Sequence, residues 1–404
     1  MNQEELRQAV EQAVERAPVV DIHTHLYPPN FGGLCLWGID ELVTYHYLIA
    51  ELFRSNRAIS PEQFWTRSKQ QQADTIWEAL FVGNTPLSEA ARGVVRVMTA
   101  LGLDPHAAAL ADARKFFASQ NLESHIDNVM RIAGVTGIVM TNDPFNPAEA
   151  AIWKRERPAN PRFHAALRMD PLLNSAESLF STVTEARNFV DEWIDRMQPL
   201  YMAASLPAEF AYPDETLRTK ILREVVMPVG LKHNLPFAMM IGVVRQVNPR
   251  LRDAGDSSGR ADVRAVERIA ADFPENRFLV TMLSRENQHE LCVVSRKFAN
   301  IMPFGCWWFL NNPSIVAEIT AERLEMLGSS FIPQHSDARI LEQIIYKWAH
   351  SRRVIAAGLY EQYKQLSLDG WPLRQEQIER DIRRMFSGNF EEWIGKRLAA
   401  EARS

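Results

Sequence analysis

The sequence predicts an α/β fold: a single (β/α)8 barrel over residues 1–404, with a helical subdomain at 58–131 inserted after the first strand. Three observations predict it. Eight short apolar, β-rich runs recur along the chain, helix-like segments separate almost all of them, and several runs end in polar or ionisable residues. Eight strands with crossover helices imply a closed parallel barrel, whose chemistry gathers at the C-terminal ends of its strands. An open doubly wound sheet is the alternative. No GxGxxG follows any run, so the usual dinucleotide signature is missing.

The first run is Val19-Val20-Asp21-Ile22-His23, followed by a loop rich in Pro and Gly and then a helix-like stretch at 40–52. From 58 to 131, Trp, Leu and Val recur at helical spacings without a convincing strand, hence the inserted subdomain. Strand-like runs resume at 135–141, 162–168 and 200–205, with a helical stretch at 176–197 before the last. The remaining four fall at 236–242, 278–283, 301–306 and 330–333, followed by helical patterns such as 261–273 and 341–356. Residues 252–260, with two Gly and two Ser, read as a loop able to serve as a lid.

Bulk properties narrow the function classes. Hydrophobic residues make up 46% of the 404 and charged residues 24%, which describes a chain able to bury a substantial core. A net charge of −5 gives no electrostatic reason to expect nucleic acid or an anionic membrane as partner. Cys35, Cys292 and Cys306 are odd in number and widely spaced, which argues against a disulfide framework and makes the cytoplasm the expected compartment. Near the start, Leu6, Val10, Ala13, Val14 and Ala17 follow helical spacing among charged residues, unlike a secretory signal. No stretch approaches the roughly 20 apolar residues of a membrane-spanning helix.

The first run ends in Asp21-Ile22-His23-Thr24-His25, and the eighth leads into Gln334-His335-Ser336-Asp337-Ala338-Arg339. Side chains alternate along a strand, so His23 and His25 share a side and can bind one divalent metal. First and eighth strands are neighbours in a closed barrel. Asp337 can therefore complete a two-His, one-carboxylate site with coordination positions left open. The plainer readings are a histidine pair without metal and an Asp that caps the next helix. His335 reads equally as a neighbour of the metal ligands or as a surface residue.

Asp21-x-His23-x-His25 resembles the first-strand metal motif of the amidohydrolase superfamily, and four further segments resemble its uronate isomerase branch. These are Tyr45-His46-Tyr47, Thr141-Asn142-Asp143-Pro144, Trp307-Trp308-Phe309 after Gly305, and Ser336-Asp337-Ala338-Arg339, spread over most of the chain. The chain departs from the wider superfamily at the fifth run, where Met239-Met240-Ile241-Gly242 stands in place of a terminal His. No His ends the sixth run either, at Leu283-Ser284-Arg285-Glu286-Asn287. Both absences favour a single metal.

The resemblance implies a barrel of the metal-dependent hydrolase type that isomerises a hexuronate. D-glucuronate or D-galacturonate would interconvert with fructuronate or tagaturonate through an enediol. It implies one divalent metal, Zn by family, held by His23, His25 and Asp337. Asp337 or Tyr47 would move the proton, Arg339 would neutralise oxyanion charge, and His46 would contact sugar hydroxyls. Arg168 would grip the carboxylate. Trp308 or Trp307 would form an apolar wall. The partner is a small sugar acid, with a homo-oligomer expected and neither nucleic acid nor membrane. Two other readings stand beside this one: a mononuclear amidohydrolase or lactonase acting on a small carboxylated substrate, and a non-catalytic barrel that binds sugar acids.

Overall fold

Short apolar runs become buried parallel strands because helices cover the sheet's outer face and the barrel interior covers the other. The computed structural model describes residues 1–55, 58–175 and 178–398. Its strands are β1 (Val19–Thr24), β2 (Val135–Asn142), β3 (Phe163–Arg168), β4 (Met202–Pro207), β5 (Phe237–Val244), β6 (Ser257–Ser258), β7 (Phe278–Met282) and β8 (Ile301–Pro303). Seven of them form one parallel sheet in the order β1-β2-β3-β4-β5-β7-β8, and β6 pairs antiparallel with the end of β5. The interior is packed by small and medium apolar side chains, among them Val20, Val139, Ala166, Ala203, Ala238 and Met240. Met240, at the strand where the wider superfamily carries a His, is thus a filler of the barrel core.

The last two strands differ from expectation. β8 stops at Pro303 instead of running to 306, and residues 330–333 make only a bridge, Phe304 to Ile332. Proline supplies no N–H at 303 or 333, and side chains take over ladder positions. Cys306 N and His335 N both donate to Gln334 Oε1, at 2.8 and 3.0 Å. Closure nevertheless occurs. Asp337 N donates to His23 O at 3.1 Å and His25 N to Ala338 O at 2.7 Å, so the eighth segment reaches β1. Asp21 braces this seam, its carboxylate accepting from Ser336 N at 2.9 Å and from Trp348 Nε1 at 2.8 Å.

The expected helix at 40–52 is broken into Ile39–Val43 and His46–Ser55. Thr44 Oγ1 donates to Asp40 O at 2.7 Å, a local bond that competes with helix continuation. The break starts the second helix at His46, next to Tyr47. The stretch at 176–197 is helical from Val183 to Met197, its first two positions lying outside the described residues. Two other helices shift their bounds, to Arg264–Asp272 and Gln343–Leu368.

Between 58 and 131 the described residues hold helices and no strand, with Ser60, Ser68, Ser88 and Asn121 capping four of them. Their apolar faces share one core with the barrel helices. A buried pair anchors them: His125 Nε2 lies 2.8 Å from Glu342 Oε1, whose other oxygen accepts from Gly38 N at 3.1 Å. Residues 252–260 are more ordered than a plain loop, comprising the end of a 3-10 turn (Pro249–Gly255) and β6. Helix Pro61–Trp65 clasps this excursion. Arg250 pairs with Glu62 at 2.7 Å, Trp65 Nε1 donates to Arg250 O, and the Arg252 guanidinium lies 4.4 Å from the Trp65 ring centre. All three cysteines are free, and among the described residues no helix is long and apolar enough to cross a membrane.

Candidate metal centre and active site

His23 is the penultimate residue of β1, His25 lies just beyond its end, and Asp337 follows the eighth segment with a positive φ of 52°. The seam bonds between β1 and 337–338 bring the three together, with one ligand atom from each within 4.8 Å of the others. His23 Nε2 and His25 Nε2 lie 3.5 and 3.3 Å from Asp337 Oδ1.

Each imidazole is held in a definite tautomer. Thr141 Oγ1 donates to Thr24 O at 2.5 Å, so towards His25 Nδ1, 3.3 Å away, it can only accept. Tyr201 repeats the device: its hydroxyl donates to Ile22 O at 2.7 Å and accepts from His23 Nδ1 at 3.4 Å. With both Nδ1 atoms protonated, both Nε2 atoms carry lone pairs and point at a carboxylate oxygen. Burial pushes His25 down to about 4, so this ring is neutral near pH 7.

Oδ1 of Asp337 is buried without a hydrogen-bond donor. Three electron-pair donors converging on one buried point repel one another unless a cation lies between them. Two imidazoles and one carboxylate fit a divalent metal with open positions.

The other expected residues surround this centre at different depths. The His46 ring lies 4.7 Å from Tyr47 and 6.2 Å from Trp308, with its Nε2 buried and unpartnered. Burial and the neighbouring Arg339 charge keep His46 neutral, and burial raises the Tyr47 phenol well above its usual value. Trp308 begins a short 3-10 turn at φ 48° and is no part of a strand, so alternation does not decide which tryptophan faces the site. Both Trp307 and Trp308 are buried. The Trp308 ring has His46 on one side and the Arg245 guanidinium 5.7 Å from its centre. Arg339 is half-exposed, 3.8 Å from Asp253 of the clasped excursion.

Arg168 ends β3 and donates through Nη2 to Asp170 Oδ2 at 2.5 Å; it does not touch the metal-ligating trio. His335 is fully buried, its ring 5.0 Å from His23, which removes the surface reading. Only a glycine fits at 305: an added Cβ would lie 1.9 Å from the His335 ring. Sequence reasoning missed Tyr201 and Lys347. Tyr201 reaches His23 across 178 residues of chain, and Lys347 is buried with its ammonium 6.0 Å from the Tyr47 ring centre. Nothing in their local sequence marks either one.

No protein-family model matches the chain, and no curated protein does either. Solved structures do. A uronate isomerase from Bacillus halodurans C-125 superimposes with a TM-score of 0.95 at 49% identity, covering 98% of each chain. Two more distant structures, both 14% identical, share the fold. A uronate isomerase from Thermotoga maritima has a TM-score of 0.74, covering 98% of this chain and 99% of its own. A glucuronate isomerase from Caulobacter crescentus has 0.70, covering 99% and 97%. With nearly half its residues identical to the Bacillus protein over almost the full length of both, this chain belongs to the uronate isomerase family.

Proposed function

We propose that the protein is an aldose–ketose isomerase that interconverts a hexuronate, D-glucuronate or D-galacturonate, with its keto form. The observation that carries this is the convergence of His23, His25 and Asp337 in a chain so similar to a uronate isomerase. The donor set suits Zn, the family expectation, and also Mn, Fe or Co. When bound, the cation supplies Lewis acidity towards the sugar's carbonyl and hydroxyl oxygens.

The chain's own groups divide the remaining work. Moving a proton between adjacent carbons needs one acceptor and one donor. Asp337 is the acceptor; Tyr47, held protonated by burial, is the donor. Arg339 balances the negative charge that develops on the enediol oxygens. His46, neutral and with a free buried Nε2, hydrogen-bonds a sugar hydroxyl. Arg168 keeps Nε and Nη1 for the substrate carboxylate while Asp170 fixes Nη2. Trp308 excludes water.

We further propose a cytoplasmic homo-oligomer; light scattering of the purified protein tests its oligomeric state, and cell fractionation its compartment. The activity is tested by incubating metal-loaded protein with each uronate and assaying ketose. The expected result is a keto product from at least one epimer, abolished by chelation and restored by Zn or Mn. No ketose above background from either epimer would overturn the proposal.

A further inference from the structure

A second concave site lies away from the metal centre, between helix Glu89–Ala100 and helix Gln343–Leu368. It is a cavity of about 440 Å3 with Arg92, Arg96 and Arg353 on its lining. That volume is within the range of small-molecule sites. Among the described residues, none of these three side chains makes a hydrogen bond or an ion pair. Glu89 offsets part of the Arg92 charge, yet three guanidiniums around one concavity outnumber that carboxylate and attract anions, on a chain whose net charge is −5. Two helices of 12 and 15 residues, Glu89–Ala100 and Pro313–Leu327, also start at this cavity and add their positive ends.

The deeper wall asks for something else. Asn311 Oδ1 can only accept, so His350 Nε2, 3.3 Å away, is the donor, and Nδ1 is left with a lone pair. That Nδ1 faces Glu89 Oε1 at 3.7 Å, and Glu89 Oε1 is buried with no hydrogen-bond partner. Burial, reinforced by the charges of Lys347, Arg353 and Arg92, pushes His350 down to about 3, so it does not supply the missing proton near neutrality. Burial raises the Glu89 carboxyl against the pull of Lys347 and Arg92, and its unpartnered Oε1 lacks a donor that a ligand hydroxyl provides. Close packing fixes the floor, because a Cβ on Gly93 would come within 2.7 Å of the Tyr346 ring.

We propose that this cavity binds a small hydroxylated anion, its acidic group on the arginines and a hydroxyl donating to Glu89 Oε1. A sugar acid and a sugar phosphate share that chemistry. Isothermal calorimetry on the full, metal-loaded chain separates them, using gluconate, which has no aldehyde or ketone to isomerise, and glucose 6-phosphate. Glucose and inorganic phosphate serve as controls. The expected result is a site that prefers one of the hydroxylated anions over both controls and that R92A/R353A weakens about tenfold or more. Binding of gluconate at the metal centre would survive that double variant as a separate component. The proposal is overturned if no component of either anion's isotherm changes in R92A/R353A, or if inorganic phosphate binds as tightly as the hydroxylated anions. It is equally overturned if the double variant changes the oligomeric mass and leaves every isotherm unaltered, since the cavity would then belong to a contact between copies.

Discussion

The seam that closes the barrel and the centre that sits above it each contain one buried carboxylate, yet the two are treated in opposite ways. In the seam, both oxygens of Asp21 accept from donors that cannot withdraw, a backbone N–H and an indole N–H. In the centre, Oδ1 of Asp337 meets two imidazole lone pairs and no donor. A satisfied carboxylate holds structure together, and a carboxylate aimed at other acceptors is complete only with a cation. The anchor of the helical insertion follows the seam's logic, since Glu342 has an imidazole on one oxygen and a backbone N–H on the other.

Exchanging the two carboxylates one at a time tests the contrast most severely. Asp337→Asn is expected to lower kcat by about 10³-fold or more and to empty the metal site by elemental analysis. Asp21→Asn should retain metal and lose about 1–3 kcal/mol of stability in urea. If both variants lost metal equally, the distinction between seam and centre would fail. Next in size is His125→Leu, which strands Glu342 as an unpaired buried charge. A loss of about 3–5 kcal/mol is expected on unfolding, with kcat per folded molecule unchanged.

The tautomer supports sharpen the comparison on a finer scale. Thr141→Val and Tyr201→Phe should each weaken metal binding about 10- to 100-fold in chelator competition, because each frees one imidazole to present the wrong nitrogen. Unaltered affinity in both would mean that ring orientation is fixed by packing alone. Glu62→Gln should do least. The Glu62–Arg250 pair is solvent-exposed, so the melting temperature is expected to stay put and KM to move little. A large fall in kcat would instead make the clasped excursion part of the reacting site.

How far each of these features could be read in advance depended on the range of the forces behind it. Asp21-x-His23-x-His25 was legible because a two-residue period and a strand end are local properties. Asp337 was legible at a distance only because barrel closure makes the first and eighth strands neighbours. The eighth strand itself was misread: apolar composition at 330–333 does not reveal that Gln334 and Asp21 replace ladder bonds. The helix expected at 40–52 failed for a similar reason, since the Thr44 hydroxyl adds a local bond to the Asp40 carbonyl where the first helix ends.

By itself, then, the sequence determined the alternation of strands and helices, the two imidazoles and the distant carboxylate, since these rest on periodicity and residue chemistry that each segment carries alone. Only the tertiary structure decided which nitrogen of each imidazole faces inward, that Lys347 lies beside Tyr47, and that three exposed arginines ring one cavity. Those outcomes depend on atoms separated by tens to hundreds of residues. A hydrogen bond of about 3 Å carries no trace in local sequence until the chain has folded.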